Sequence, residues 1–323
     1  MRSLVSFLFL LLFCSVSNGT FATRFEEQIE KKTISKDTIL MGSAFVFTAV
    51  SNNEVKAWNA INAAKKEVIR IERLISSWDE NSETYKINSN AGIKPVKVSP
   101  ELFRLISRCQ KISDLSNGYF DISFASINHI WDFDKAYTTA PDSLVIQKSV
   151  SKINYKNIVL NKEESTVFLT DKGMKIGFGA IGKGYAANRA KLIMFGFNIA
   201  SGVVNAGGDL ISWGTKANGD PWTVGILDPF KKEEVKLWLN TTNMAVVTSG
   251  DYERFVSIEG NRYGHIINPK TGWPTQGVSS VTVICPDAEL ADALATTIFV
   301  IGKTSGIALI NELDRVECLV IDS

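Results

Sequence analysis

A chain of 323 residues is long enough for one large domain or for two lobes, each with its own hydrophobic core. Its formal net charge of +1 gives no sign of a basic surface for a polyanion, which argues against nucleic acid as a partner. Cys109, Cys285 and Cys318 are scattered in apolar segments, and this spacing is typical of buried thiols rather than of disulfides or a zinc site.

The first 22 residues have the pattern of an export signal. Arg2 supplies a positive start, and residues 4–13 form an apolar run of signal-peptide length that is too short to span a bilayer comfortably. The pattern therefore predicts an exported, periplasmic protein.

Two routes of processing are open for this signal. Cys14 closes the apolar run as in a bacterial lipobox, and lipidation there would anchor the protein to the inner membrane. Ordinary cleavage after Gly19 or Ala22 would instead leave the protein without this anchor. In either case residues 23–37 are charged and are predicted to form a leading arm, and residues 38–323 are predicted to form the folded domain.

The order of the predicted elements indicates an α+β fold with mainly antiparallel pairing. Apolar residues recur at helical spacing in residues 55–75, and Ser99 is the expected N-cap of a helix over residues 100–115. Further helices are predicted over residues 186–195 and 287–300. Hairpins are predicted where two β-rich runs flank a turn, namely residues 210–226 with a turn at Asn218-Gly219, residues 235–239 with 244–248, and residues 253–258 with 262–267.

Four glycines and one lysine fall within residues 177–185, just before the predicted helix. A glycine-rich turn at a helix start exposes backbone N–H groups and the positive end of the helix dipole, which can bind phosphate. Lys183 would add a positive charge. A tight turn that needs glycine for its backbone angles is an equally good interpretation. The P-loop pattern fits imperfectly, because Gly184 stands where a P-loop has Ser or Thr.

Asp292 and Thr296 are four residues apart in the predicted helix at 287–300, so their side chains share one helix face. A carboxylate and a hydroxyl are oxygen ligands of the kind that magnesium prefers. The alternative is a solvated aspartate and a threonine that bonds back to its own helix. The spacing alone leaves both interpretations open.

His265 ends a predicted strand and precedes a turn, which is a common place for a functional residue. At such a position a histidine could act as the general base for a hydroxyl group. It could equally satisfy carbonyl groups of the turn, and the local sequence does not choose between these two roles.

The segments that carry these features closely resemble the ApbE family of FAD:protein FMN transferases. The resemblance covers about residue 38 to residue 323 and rests on seven motifs in the family's order. The motifs are Met41-Gly42-Ser43, Tyr119-Phe120-Asp121, Gly179–Tyr185 (GAIGKGY), Asn205–Asp209 (NAGGD), Thr248–Tyr252 (TSGDY), His265–Gly272 (HIINPKTG) and Ala291–Thr296 (ADALAT). Each motif is weak alone, whereas all of them in order are highly specific.

The resemblance implies two α+β lobes, with mainly antiparallel sheets, packed helices and FAD in the cleft between the lobes. It implies a magnesium ion held by the Asp292 carboxylate, the Thr296 hydroxyl and the backbone carbonyl of Ala180. The FAD contacts that it implies are Met41, Trp78, Tyr119, Phe120, Asp121, Gly177, Lys183, Ile266, Ile267 and Ala295. The chain departs from the family at Gly177, where Asp is usual, and at Ala295, where many members have a polar residue.

The implied reaction is Mg2+-dependent transfer of FMN from FAD to a threonine or serine hydroxyl of an acceptor protein, with release of AMP. His265 is the candidate base and Asp251 the alternative, and Lys183 would stabilise phosphate charge. Family acceptors are extracytoplasmic subunits of redox complexes, which agrees with the export signal. Two other functions stay open, namely an FAD pyrophosphatase in which water replaces the hydroxyl, and a flavin-binding lipoprotein without turnover.

Overall fold

A computed structural model describes residues 30–323 of the protein, except residues 128, 129, 134, 136, 138, 232, 233 and 253. The predicted signal peptide, Cys14 and the first part of the predicted arm lie outside the described residues. Within the part of the chain that is described, no helix is both long enough and apolar enough to cross a membrane.

The α-helices of the described chain are α1 (Glu54–Ile75), α2 (Glu83–Ser89), α3 (Pro100–Leu115), α4 (Ser143–Val150), α5 (Gly182–Gly196), α6 (Ala288–Ile301) and α7 (Lys303–Asn311). Side-chain caps explain where three of them begin, since Asn53, Ser99 and Asp287 accept backbone N–H bonds at the starts of α1, α3 and α6. The four helices predicted from the sequence are confirmed, although α5 begins earlier than predicted, at Gly182.

The strands are β1 (Lys32–Leu40), β2 (Ser43–Ser51), β3 (Val96–Lys97), β4 (Ile158–Asn161), β5 (Thr166–Leu169), β6 (Ser201–Ala206), β7 (Asp209–Trp213), β8 (Trp222–Leu227), β9 (Val235–Thr241), β10 (Ala245–Gly250), β11 (Phe255–Ile258), β12 (Asn261–Gly264), β13 (Val278–Cys285) and β14 (Glu317–Asp322). A seven-stranded sheet has the order β1-β2-β6-β7-β10-β13-β14, and all of its neighbouring pairs are antiparallel. Smaller antiparallel sheets are β3-β5-β4, β8-β9 and β11-β12. The predicted α+β class is therefore confirmed.

The two ends of the large sheet differ in what they carry. At one end of the sheet Lys32 lies opposite Ser51, and Ser201 and Trp213 lie at the same end. We call it the entry end, because β1, the first strand, begins there. The other end, which we call the turn end, carries the β1–β2 turn, the β6–β7 turn and the last residue of β10, Gly250.

Two hydrophobic clusters form the interior. The larger joins the seven-stranded sheet to α1, α3, α5 and α6. The smaller is built around Trp131, together with Ile127, Ile146, Val256 and Ile258. Both clusters belong to one compact unit, Lys31–Ser323.

The predicted leading arm is wrong for its last residues, because Lys32–Asp37 belong to β1 and pair with β2. β1 is an edge strand of the large sheet, where charged side chains are common since they discourage pairing with a further strand. In this strand Ile34 and Leu40 are buried, and the other side chains are exposed or nearly so. The folded unit therefore begins near Lys31 rather than at residue 38.

Two of the predicted hairpins are wrong. β7 pairs with β6 and β10 while β8 pairs with β9, so the turn at Asn218-Gly219 connects two different sheets. β10 likewise pairs with β7 and β13 rather than with β9. The physical reason is burial. Every residue of β7 is buried, so the backbone N–H and C=O groups along both of its edges must pair with a neighbouring strand. β8 and β9 are partly exposed, and they form a separate two-stranded sheet. The third hairpin, β11 with β12, is confirmed.

The described cysteines are free thiols, as the sequence predicts, and Cys109 and Cys285 are buried while Cys318 is partly exposed. Burial raises the pKa of Cys285 to about 11 and raises that of Cys109 well above its usual value. The thiol of Cys285 also donates a hydrogen bond to the carbonyl of Asp287, with 3.0 Å between sulfur and oxygen. Cys109 and Cys285 are thus part of the protein interior, as predicted, whereas Cys318 is only partly buried.

Candidate functional site

A pocket lies at the turn end of the large sheet, beside the starts of α5 and β7 and the end of β10. Its lining residues are Tyr119, Phe120, Asp121, Phe124, Gly179, Ala180, Lys183, Asp209, Thr248, Ser249, Gly250, His265, Ile266, Ile267, Pro269, Asp292, Thr296 and Val300. Among them are the three predicted metal ligands, Ala180, Asp292 and Thr296, and the predicted base, His265. The structure therefore brings most of the predicted site residues into one pocket.

Two buried aspartates and one lysine meet in this pocket. Asp209 and Asp292 are 2% and 4% exposed, and Lys183 Nζ lies 2.5 Å from Asp209 Oδ2. Burial first, and then the negative charge of Asp209, raise the pKa of Asp292 to about 7. Burial also raises the pKa of Asp209, and the ammonium of Lys183 opposes that shift. Two carboxylates beside one ammonium favour the binding of a further cation.

The carboxylate of Asp292 is positioned by the first turn of α5. Its Oδ2 accepts a hydrogen bond from Gly184 N–H at 2.9 Å, which is where the helix dipole favours negative charge. A Cβ atom at Gly184 would lie 2.1 Å from the carbonyl oxygen of Ala288 and 2.8 Å from Asp292 Cβ. Glycine is therefore required here for the close approach of α5 and α6, a role that the glycine-rich pattern alone did not reveal.

Oxygen atoms of several kinds line the pocket with Asp292. Thr296 is one turn further along α6, and its Oγ1 lies 3.3 Å from Ser249 Oγ. Ala180 lines the same pocket just before α5. Carboxylate, hydroxyl and carbonyl oxygens are the donors that Mg2+ prefers, so these residues fit that ion. Among the described residues no three His, Cys, Asp or Glu side chains are placed so that they could hold one metal ion together, so an ion here would also use hydroxyl and carbonyl oxygens.

His265 follows β12 and lines the pocket. Its backbone N–H donates to the carbonyl of Arg254 at 3.0 Å, whereas its ring atom Nδ1 is buried and has no hydrogen-bond partner among the described residues. Burial is the main cause that lowers the pKa of His265, so the ring is neutral at neutral pH and can accept a proton. An unpaired buried nitrogen favours a functional role over bonding to turn carbonyls.

Asp251, the alternative base, is not among the residues that line the pocket. Its Oδ1 lies 3.7 Å from Arg262 Nη2, and its Cβ would be 2.9 Å from a Cβ placed at Gly264. Burial raises the pKa of Asp251, and Arg262 opposes this shift. Asp251 thus packs against Gly264 at the end of β12, and of the two candidate bases only His265 lines the pocket.

One wall of the pocket is the segment after α3, where Tyr119, Phe120 and Asp121 lie. Asp121 accepts hydrogen bonds from the N–H and the hydroxyl of Ser123, at 2.8 and 2.6 Å, and from Tyr155 N–H at 2.8 Å. Burial raises the pKa of Asp121, and these hydrogen bonds oppose the shift. The carboxylate therefore holds this wall together, whatever else it contacts.

Four residues that were predicted to contact FAD are not among the lining residues. Met41 lies in the β1–β2 turn with a positive φ of 51°, and Trp78 is 83% exposed in the loop after α1. Gly177 and Ala295 are buried. Contact between these residues and FAD stays a prediction.

Asp209 is the main site residue that the sequence did not single out for a role. The signal that could have found it is an acidic residue directly after Gly207-Gly208, a turn in which both glycines have positive φ, of 67° and 102°. Other lining residues that were missed are Phe124, Thr248, Ser249, Gly250, Pro269 and Val300. Their places in the pocket depend on tertiary packing.

Comparison with known proteins places this geometry in a family. The model of the ApbE family matches residues 41–320 of the chain. An FAD:protein FMN transferase of Treponema pallidum (strain Nichols) is 32% identical over 282 residues, which cover 81% of this chain and 77% of that protein. Another of Klebsiella pneumoniae (strain 342) is 28% identical over 294 residues, covering 90% of both.

Solved structures agree with the sequence comparison. The crystal structure of the ApbE protein from Thermotoga maritima has a TM-score of 0.83 and 31% identity to this chain, covering 90% of it and 94% of the other chain. The flavin transferase ApbE from Vibrio cholerae has a TM-score of 0.82 at 21% identity over similar lengths, which shows the shared fold. Since the family model matches residues 41–320 and a relative that is 32% identical covers 81% of the sequence, this chain belongs to the ApbE family.

Proposed function

We propose that this ApbE-family enzyme is an FAD:protein FMN transferase, which moves FMN from FAD to a threonine or serine hydroxyl of an acceptor protein and releases AMP. The observation that carries the proposal is the pair of buried aspartates, Asp209 and Asp292, beside Lys183 in the pocket. Carboxylates that can hold a cation and an ammonium that can contact an anion suit a substrate that reacts at phosphate. The relatives that bear this name support the same assignment.

The ligands proposed for Mg2+ are the Asp292 carboxylate, the Thr296 hydroxyl and the Ala180 carbonyl, all in the pocket lining. When bound, the ion would neutralise charge on the pyrophosphate of FAD. Gly184 N–H donates a hydrogen bond to Oδ2 of Asp292, which orients the carboxylate, and the other oxygen, Oδ1, would bind the ion. The hydroxyl of Ser249, 3.3 Å from that of Thr296, would fix the orientation of the threonine.

In the proposed reaction the acceptor oxygen forms a bond to the FMN-side phosphorus, and the bond from that phosphorus to the bridging oxygen breaks. AMP leaves with the bridging oxygen, and FMN stays on the acceptor through a phosphoester. A ring nitrogen of His265 would accept the proton of the acceptor hydroxyl, since its lowered pKa keeps the ring neutral. The ammonium of Lys183, held by Asp209, would stabilise the charge that develops on the phosphate oxygens.

The test of this function mixes the full-length protein with FAD, Mg2+ and a candidate acceptor domain that carries an accessible threonine. The matched control is the same domain with that threonine replaced by valine. Transferase activity predicts AMP and covalent flavin fluorescence with the threonine only, and loss of both with EDTA. AMP without covalent flavin, equal for both domains, would indicate an FAD pyrophosphatase. Bound flavin with neither product would indicate a flavin-binding lipoprotein.

The location of the reaction is also a proposal. The first 22 residues support export to the periplasm, Cys14 supports anchoring to the inner membrane as a lipoprotein, and the acceptor would be an extracytoplasmic subunit of a redox complex. Mass spectrometry of the mature N-terminus tests the processing. A lipidated Cys14 supports the anchor, whereas a chain that starts at Thr20 or Thr23 would show ordinary cleavage.

A further inference from the structure

Arg108 of α3 forms a two-point salt bridge with Glu289 in the first turn of α6. Its Nε and Nη2 donate to the two carboxylate oxygens of Glu289, at 2.6 and 3.0 Å. Glu289 is 8% exposed, and burial raises the pKa of its carboxyl group while the guanidinium of Arg108 opposes this shift. A two-point contact of this kind fixes the orientation of the two side chains as well as their distance. Arg108 therefore holds the start of α6 against α3.

The same guanidinium also contacts α5. The Cζ atom of Arg108 lies 5.7 Å from the centre of the Tyr185 ring, which is within the range of a cation–π contact. Tyr185 is 5% exposed, and its hydroxyl donates to Oε1 of Glu101 at 2.5 Å. Since Glu101 and Arg108 are about two turns apart in α3, the tyrosine is held at two points along that helix. Arg108 thus contacts α5 and α6 at once.

These two contacts flank the hydrogen bond that orients the proposed metal ligand. Tyr185 directly follows Gly184, whose N–H donates to Oδ2 of Asp292 at 2.9 Å. Glu289 is three residues before Asp292 in α6, so both side chains share one helix face. The donor and the acceptor of this bond are therefore each next to a residue that Arg108 holds. A small movement of α6 against α5 would change the bond and the direction of the carboxylate.

Other contacts keep α5 and α6 together without Arg108. The side chain of Asn188 in α5 donates to Oδ1 of Asp287 at 3.0 Å and accepts from Ala288 N–H at 3.1 Å. Both helices also contribute to the larger hydrophobic cluster. Variants of Arg108 should therefore fold, with α6 free to shift slightly against α5.

We propose that Arg108 is a positioning residue for the magnesium site. By holding α5 and α6 from α3, it keeps the carboxylate of Asp292 in the orientation that binds the ion. This role rests on the proposed function, because it concerns the ion of that site. Residues that orient metal ligands without touching the metal contribute about 10–100-fold to metal affinity. Because Arg108 acts through neighbours of the hydrogen bond, we expect its loss to weaken binding by about 10-fold, the lower end of that range.

A purely electrostatic role for Arg108 would have the opposite sign. A positive charge near the site disfavours a divalent cation, so removal of that charge would tighten metal binding. Positioning predicts weaker binding when Arg108 is replaced by methionine. Arg108→Lys separates the two roles further, because lysine keeps the charge but loses the planar fork that makes the two-point contact.

The experiment measures Mn2+ binding to the full-length protein by electron paramagnetic resonance of the free ion, without FAD. Mn2+ is the probe because it takes the same oxygen ligands as Mg2+. The site is defined by the binding that Asp292→Asn loses. We expect Arg108→Lys and Arg108→Met to weaken this binding by about 10-fold. The double variant Arg108→Met with Glu289→Met should weaken it similarly, and it leaves no buried carboxylate unpaired.

A second readout uses the Mg2+ dependence of AMP release by the same variants. The Mg2+ concentration that gives half of the maximal rate should rise, whereas kcat at saturating Mg2+ should change little. General destabilisation would instead lower the maximal rate. Ile87→Val is the matched control, because Ile87 is 1% exposed in α2, which packs mainly against α1 and β5. It should lower Tm and keep the wild-type affinity for Mn2+.

Unchanged or tighter Mn2+ binding in Arg108→Lys and Arg108→Met would overturn the role of Arg108 and leave the proposed metal site intact. Equal weakening in Ile87→Val would show that affinity follows overall stability, which also overturns this role. If the wild type and Asp292→Asn bind Mn2+ alike, the proposed metal site itself is wrong, and the role of Arg108 is overturned with it.

Discussion

Replacing Gly184 with alanine should destabilise the protein and slow FMN transfer, because the new methyl group forces α5 and α6 apart. The added Cβ would lie 2.1 Å from the carbonyl oxygen of Ala288 and 2.6 Å from its carbonyl carbon. Ordinary contact begins at 3.4 Å, so the two helices must separate locally by about 1.3 Å. Backbone atoms on α6 cannot rotate away as a flexible side chain could.

The size of the effect follows from this overlap. Overpacking of a close-packed interior costs about 1–3 kcal/mol. For a domain of this length each kcal/mol lowers Tm by about 2–4 °C, so Tm should fall by roughly 2–12 °C. The same movement lengthens the 2.9 Å hydrogen bond from Gly184 N–H to Asp292. Because a displacement of about 1 Å at a catalytic site can cost about 100-fold in rate, AMP release should slow by up to about that factor.

Thermal denaturation followed by circular dichroism measures the first effect, and AMP release with FAD and acceptor measures the second. Gly196→Ala is the matched control, since Gly196 ends the same helix and nothing lies within 4 Å of its added Cβ. The control should keep the wild-type Tm and rate. If Gly184→Ala also keeps both, the helices do not meet as described and the reasoning is refuted.

Three further predictions concern charge. Asp292→Asn should abolish Mg2+-dependent AMP release, and unchanged release would contradict the metal assignment. The Tm of this variant should stay equal or rise, because the substitution removes a negative charge that burial and the nearby Asp209 disfavour. His265→Ala should slow transfer by about 100-fold or more while FAD still binds in a fluorescence titration, and an unchanged rate would exclude it as the base. Glu67 and Glu101 have pKa values below their ordinary 4.5, chiefly because of hydrogen bonds from Arg70. Their contribution to stability is present above pH 4.5 and is lost as the pH falls through the lowered pKa values of the folded state. The Tm of Glu101→Gln should therefore fall less in acid than that of the wild type, and an identical dependence of Tm on pH would contradict this.

The helices were predictable because their signals are local. Ser99 and Asp287 stand directly before α3 and α6, and each accepts the N-terminal hydrogen bond that such a residue is expected to accept. Strand pairing was not predictable in the same way. The turn at Asn218-Gly219 looks like the centre of a hairpin, yet β7 takes its partners from residues far away in the sequence. Residues close in the sequence determine where a helix begins and ends. The partners of a central strand depend instead on which strands bury its faces and hydrogen-bond its edges.

In the site, helical spacing alone predicted that Asp292 and Thr296 share one face of α6. The meeting of that face with Lys183 of α5 followed only from the family resemblance, because it depends on how two helices cross. Asp209 was missed for the same reason, since its neighbour Lys183 belongs to a different element. Gly184 shows the limit clearly: its local pattern suggested a turn or a phosphate site, and its contact with Ala288 is visible only in three dimensions.

Alkylation of the buried cysteines would measure unfolding of the protein without an added label. Thiolate is the form that reacts with alkylating dyes, so the raised pKa values and burial of Cys109 and Cys285 leave both nearly inert while the protein is folded. Unfolding gives both side chains access to water and restores their ordinary acidity. The yield of maleimide adduct would then report the unfolded fraction, once the baseline from the partly exposed Cys318, and from Cys14 where it is retained without a lipid, has been subtracted. The same measurement by mass spectrometry could rank stability variants in crude extracts.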